Sequence, residues 1–166
     1  MMITAEMSGD TASEKMASAY AILGISIERA HHRLLDVIKD EFVRKGRPNV
    51  TPVLALLLYK IGEQEIAPSE LHKRGLYLGA NVTYNLKKLV EMGLLDQRHS
   101  GVDLRSVNIS LTDKGREVRA VVESLYRRHL SMLLQVAGIS AEELDTLNRV
   151  LRLLDRFWAD QILYRL

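Results

Sequence analysis

Apolar residues recur every three or four positions through both outer thirds of the 166-residue chain, and the period changes between them. Met16, Tyr20, Leu23, Ile27, Ala30 and Leu34 form one stripe, which Ile38 and Phe42 extend. At 3.6 residues per turn this spacing puts them on one side of a helix. Thr11-Ala12-Ser13-Glu14 fits a capping box at its start, and Pro48 and Pro52 limit how far it runs. A second stripe, Val118, Val121, Val122, Leu125, Met132 and Val136, stops at Gly138, a residue suited to ending a helix. The third opens on another capping box, Ser140-Ala141-Glu142-Glu143, with Ile139 and Leu144 placed as a hydrophobic staple. It continues through Leu147, Leu151, Leu154, Trp158 and Ile162.

The middle third is built from shorter pieces. Thr51–Lys60 and Pro68–Arg74 are expected as short helices, Gly75–Leu78 as a turn, and Ala80–Met92 as a third helix ended by Gly93. Leu95–His99 then leads through Ser100-Gly101 to Ser106–Leu111, where Val107, Ile109 and Leu111 alternate with polar Ser106, Asn108 and Ser110. Alternation with period two predicts a half-buried strand, here one arm of a hairpin. Helix, helix, turn, helix and hairpin is the order of a winged helix-turn-helix.

The three terminal stripes are too apolar to stand as solvated rods. Two arrangements bury them, an intrachain helical bundle or an intertwined homodimer. Their concentration at the chain ends, outside a compact central unit, favours the second.

Composition narrows the function classes. A chain of 166 residues, 47% hydrophobic and 27% charged, makes one domain or two small lobes with a real core, not a large enzyme. It contains no Cys, which excludes disulfide scaffolds, thiolate zinc sites and thiol redox sensing. No stretch approaches the ~20 apolar residues of a membrane span. Glu6, Asp10 and Glu14 sit where a secretory signal would need a basic then apolar run, so a cytoplasmic location without membrane contact is expected. The net charge of +2 hides a gradient. Residues 1–43 carry 4 basic and 7 acidic side chains, residues 44–120 carry 13 and 8, and residues 121–166 carry 6 and 6. The basic excess lies wholly in the middle third, which points that third at a polyanion.

On a helical wheel Val82, Leu86, Leu89 and Val90 share one side of the third helix. The other side presents Ala80, Tyr84, Lys87 and Glu91, flanked by Asn81 and Lys88, and Thr83 is a further DNA-contact candidate on this helix. Small, amide, phenol and ammonium groups on one exposed face suit a helix entering the major groove, where Asn pairs with adenine and Lys with guanine or phosphate. In isolation a solvated face accounts for the same residues; the preceding short helix and tight turn shift the balance toward DNA. The hairpin loop adds Arg98 and Arg105 around a flexible glycine. An Arg at a loop tip fits the narrow minor groove, so Arg105 is assigned that contact and Asp103 the role of orienting it.

Asp103-Leu104-Arg105 followed by Leu111-Thr112-Asp113-Lys114-Gly115 is similar to the D-x-R…L-T-x-x-G signature of the MarR family. Ser69-Glu70-Leu71, the Val82–Leu89 helix and Glu91-Met92-Gly93-Leu94-Leu95 also resemble that family's helix-turn-helix, and the likeness spans most of residues 10–166. Ser18–Phe42 resembles, more narrowly, alphaproteobacterial members that regulate L,D-transpeptidase expression. The family resemblance implies a mostly α fold with a small β-hairpin wing: a winged helix-turn-helix lobe plus a helical dimerisation lobe made by both chain ends. It implies a homodimer reading a pseudo-palindrome in double-stranded DNA, with base-reading candidates Ala80, Asn81 and Tyr84 and wing arginine Arg105. It also implies a small, often aromatic or phenolic, effector in the crevice between lobes. Two departures stand out. Gly75-Leu76 reverses the aliphatic-then-glycine order of many members, and Tyr84 stands where a basic residue is common.

The expected layout is an N-terminal extension over residues 1–10, a dimerisation helix over 11–46, the DNA-binding lobe over 47–111 and C-terminal dimerisation helices over 112–166. Candidates to line the crevice are His31, His32, Thr51, Tyr59, Arg74 and Tyr77, each of which packing or capping also explains. The five histidines lack His-x-x-x-His spacing, so no metal is expected. No G-x-S-x-G, P-loop, G-x-G-x-x-G or H-E-x-x-H occurs, so neither catalysis nor a cofactor is expected. The competing class is a winged-helix protein-interaction or ligand-binding module with no operator.

Overall fold

A computed structural model describes residues 6–67, 70–71, 80–99 and 107–164. Its elements run α1 (Glu6–Arg44), α2 (Pro52–Ile61), α3 (Ala80–Glu91), β1 (Leu95–His99), β2 (Val107–Leu111), α4 (Asp113–Val136) and α5 (Ala141–Tyr164). This is the mostly helical, hairpin-bearing fold that the patterning implies. The chain divides into two compact units, Met1–Val122 and Glu123–Leu166, so α4 contributes residues to both.

In the first unit, Ile38 and Phe42 near the end of α1 are buried, as are Leu54, Leu58 and Ile61 of α2. Leu86 and Leu89 of α3, Leu95, Ile109 and Leu111 of the hairpin, and Val118 and Val122 of α4 complete this core. Helix α1 starts at Glu6, five residues before the Thr11 box, which therefore lies inside the helix. Glu and Met are good helix formers, and an S/T-x-x-E pattern is compatible with a helix interior as well as with a cap. The helix ends before either proline. Gly46 adopts φ 70°, Gly46 N–H donates to Val43 O at 3.0 Å and Arg47 N–H to Phe42 O at 2.8 Å, the paired bonds of a Schellman motif.

Thr51 caps α2, its hydroxyl accepting from Leu54 N–H at 3.4 Å with Pro52 in the first turn. Of the expected Pro68–Arg74 helix, Glu70 and Leu71 are described; they form a 3₁₀ turn in which Leu71 is buried. The remainder of that helix and the Gly75–Leu78 turn, apart from the buried Leu71, lie outside the described residues.

Strands β1 and β2 pair antiparallel in the register Leu95↔Leu111, Gln97↔Ile109, His99↔Val107. A single residue from the segment after α2 joins them: Ile66 and Ile109 exchange two backbone hydrogen bonds at 3.0 and 2.9 Å. Asn108 Nδ2 donates to Glu65 Oε1 beside this bridge at 3.0 Å. A further tie runs from the end of α2 to α4, where Arg119 Nη1 donates to Glu63 Oε1 at 2.8 Å.

The second unit holds the end of α4 and all of α5. Gly138, at φ 65°, follows α4 as the pattern expects. At α5 the capping box forms in full: Glu143 N–H donates to Ser140 Oγ at 3.2 Å, and Glu143 Oε2 accepts from Ser140 N–H and Oγ–H at 2.8 and 2.9 Å. These bonds to the ionised carboxylate, first from the backbone and then from the hydroxyl, hold Glu143 below its ordinary pKa. Helix α5 nevertheless buries none of its residues.

Candidate nucleic-acid interface

Helix α3 is fixed by the side it buries. Leu86 and Leu89 are in the core, at 7% and 0% exposure, and Val82 and Val90 are half-buried. Tyr84, Lys87 and Glu91 are exposed, as the wheel places them; Thr83 is exposed as well, and Lys88 is half-buried. Tyr84 is 64% exposed, so a phenol projects where no core contact explains it. Lys87 Nζ lies 3.9 Å from Glu91 Oε1 with both groups solvated, a pair of little net worth that leaves the ammonium available to a phosphate. Ala80 and Asn81 occupy the first turn of α3, and their side chains lie outside the described residues.

The end of α3 is tightly defined. Gly93, at φ 69°, carries a second Schellman motif, with Gly93 N–H to Val90 O and Leu94 N–H to Leu89 O, both 2.9 Å. The turn leads directly into β1, where Arg98 is exposed opposite Asn108. Asp103 and Arg105 lie outside the described residues.

The crevice candidates are distributed. His31 and His32 are exposed on α1 with ring centroids 6.1 Å apart, and His32 Nδ1 is 3.0 Å from Glu28 O. Thr51 is the α2 cap, and Tyr59 lies under the Arg119 guanidinium, whose Cζ is 5.8 Å from the ring centroid. Arg74 and Tyr77 lie outside the described residues. A cavity of about 340 Å³ in the first unit is lined by groups such as Arg47, Val50, Leu94, Lys114, Glu117 and Val118, with Arg47 Nη2 2.5 Å from Glu117 Oε2, while His32 lines a separate concavity along α1 with Ile25, Glu28, Arg29, Arg33 and Asp36. Among the described residues no three His, Cys, Asp or Glu side chains gather as a metal site, and no helix is long and apolar enough to cross a membrane.

The hydrophobic pattern does not show the Ile66 bridge or the Glu63–Arg119 tie, which join positions far apart in the chain; for Thr112 and Gly115, which follow the hairpin, the L-T-x-x-G motif is the available signal.

Comparison with known proteins places this geometry. The family described as "Winged helix DNA-binding domain" matches residues 50–115. The exopolysaccharide II synthesis transcriptional activator ExpG of Rhizobium meliloti (strain 1021) is 32% identical over 148 residues, covering 87% of this chain and 74% of the relative. The reduced form of MarR from E. coli superposes with a TM-score of 0.59 at 25% identity, covering 80% of this chain and 95% of that one. Streptococcus pneumoniae FabT, solved in complex with DNA, shares the fold with a TM-score of 0.64 at 22% identity, covering 85% and 98%. The helix exposing Thr83, Tyr84 and Lys87, the hairpin behind it and these relatives agree: the chain belongs to the MarR family of winged-helix transcriptional regulators.

Proposed function

We propose that this DNA-binding regulator, which is not an enzyme, works in the cytoplasm as a homodimer that reads a pseudo-palindromic operator and is adjusted by a small aromatic or phenolic effector. The observation that carries the dimer is α5. It leaves Leu147, Leu153, Phe157, Ile162, Leu163 and Tyr164 exposed, while Leu151, Leu154 and Trp158 are only half-buried. A helix apolar over that much of its circumference belongs in an interior. Met16 and Tyr20 on α1 and Met132 and Val136 on α4 are exposed in the same way. Covering such side chains is worth ~1.5–3 kcal/mol each, an incentive that a second copy supplies.

In this arrangement residues 11–46 and 112–166 make the dimer lobe and 47–111 the reading lobe. Two α3 helices enter successive major grooves about one helical turn apart. Ala80, Asn81 and Tyr84 read bases, Thr83, Lys87, Lys88 and Arg98 contact backbone, and Arg105, oriented by Asp103, enters the minor groove. The effector occupies a crevice drawing on His31, His32, Thr51, Tyr59, Arg74 and Tyr77.

The test uses a duplex selected by the protein from a random pool. Arg105→Ala is expected to weaken binding to it while the free variant sediments as a dimer. Loss of the dimer in that variant, or unchanged affinity, contradicts the assignment.

A further inference from the structure

The Schellman turn that ends α3 leaves two backbone acceptors, Gly93 O and Leu94 O, and one residue engages both. Thr112 Oγ1 donates to Gly93 O at 2.7 Å, and Thr112 N–H donates to Leu94 O at 3.2 Å. The same hydroxyl oxygen accepts from Gly115 N–H at 3.1 Å, capping α4. Gly115 then lies against the turn so closely that a Cβ there would meet Leu94 O at 2.1 Å.

Capping α4 requires only an acceptor at position 112, which an aspartate supplies equally well. The bond from Thr112 to Gly93 O uses the hydroxyl hydrogen and serves a different purpose, since its acceptor belongs to the turn of α3. The burial of Leu86 and Leu89 seats α3 in its lobe; the Thr112 and Gly115 contacts fix its end against the first turn of α4. Helix α4 continues past Val122 into the second unit.

We propose that Thr112 and Gly115 are positioning residues for DNA recognition: they lock the end of α3 to α4 and thereby set the separation of the two α3 helices in the dimer. The inference rests on the homodimer reading above. A dimer must place both helices at one half-site spacing, whereas one lobe on one half-site has no spacing to satisfy. The lock therefore matters for paired half-sites and little for single ones.

The experiment uses the full chain and the pool-selected duplex, versions with one or two base pairs inserted or deleted between its half-sites, and a single half-site duplex. Thr112→Asp keeps the α4 cap, but an ionised carboxylate has no hydrogen for Gly93 O; Thr112→Ser keeps both bonds. Thr112→Asp should lose about tenfold or more in preference for the native spacing, as expected for losing a hydrogen bond that orients a helix. Thr112→Ser should restore the preference. The deciding quantity is a loss of spacing preference shared by Thr112→Asp and the uncharged Thr112→Val, because a paired site meets the added negative charge twice and a single half-site once. Wild-type spacing preference in folded Thr112→Asp, or equal losses on single and paired sites, overturns the proposal.

Thr112→Val, which keeps the side-chain shape without the hydroxyl, should repeat the loss. Hydrogen exchange on the unmodified chain gives a check free of variants and of DNA. The Thr112 and Leu94 amides should open together with Arg116 in the first turn of α4. Faster, independent opening of Thr112 overturns the lock even if no duplex is selected, and failure to select any duplex counts against the operator reading instead.

Discussion

Replacing Gly115 by Ala adds one methyl group at the most crowded point of the α3–α4 junction. An ideal Cβ there lies 2.1 Å from Leu94 O, 3.1 Å from Leu94 C and 3.3 Å from Leu111 Cδ2. The nearest atoms are backbone, and they are pinned: Leu94 O accepts from Thr112 N–H, and Leu94 N–H donates to Leu89 O. Relief requires the first turn of α4 to move from the α3 turn by about 1 Å, overpacking of a kind that destabilises by ~1–3 kcal/mol. Stretching the two Thr112 bonds adds up to ~1 kcal/mol each, while the better helix propensity of Ala returns at most ~1 kcal/mol. The net loss is about 2–3 kcal/mol, which for a chain of this length lowers Tm by about 5–10 °C. Thermal and urea unfolding of variant and wild type at one protein concentration measures it, because a dimer's Tm depends on concentration. A Gly115→Ala variant as stable as wild type would mean that the junction yields at no cost and that the Leu94 carbonyl is not held in place.

Three further outcomes follow from other parts of the molecule. Lys87→Ala should reduce the slope of log affinity against log salt by about one unit per chain, about two for the dimer on the selected duplex, as for loss of one phosphate contact from each chain; an unchanged slope removes Lys87 from the interface. The Glu143 carboxyl is held below its usual pKa by Ser140, so its stabilising effect on α5 is complete above the usual value of 4.5 and is lost as pH falls through the lowered one. Glu143→Gln abolishes that contribution, and the gap in Tm between wild type and variant should close on acidification from about pH 6 to about pH 3; a gap independent of pH contradicts the capping assignment. Truncation before Leu144 removes nearly all of α5 and should give a monomeric or misfolded chain by sedimentation and circular dichroism. A stable truncated dimer would locate the interface elsewhere.

What the sequence disclosed depended on whether the determinant was periodic. Leu86 and Leu89 face the core because a 3.6-residue period is a local property, and the same wheel exposes Tyr84 and Lys87. The alternation of Ile109 and Leu111 with Asn108 and Ser110 marks β2 for the same reason. Ser140–Glu143 specifies its own cap, and Gly93 and Gly138 mark helix ends through their tolerance of positive φ. Thr11–Glu14 carries an identical signature, yet lies within α1, because a box is read as a boundary only when the residues before it leave the helix.

Long-range determinants were illegible. Ile66 completes the sheet edge with one residue, too few to show a period. Arg119 reaches Glu63 across 56 positions and sits over Tyr59, contacts that no local period marks. Thr112 and Gly115 were visible as letters of a motif, but their chemistry depends on where the Leu94 carbonyl is placed in space.

Whether two copies of this chain read one duplex is decided by the mass of the complex, measured by analytical ultracentrifugation on the pool-selected duplex across a salt series. Two chains per duplex, a free chain that is already dimeric, and affinity falling steeply with salt as counterions are released are the expected results. One chain per duplex, or binding indifferent to salt, contradicts operator reading by a homodimer.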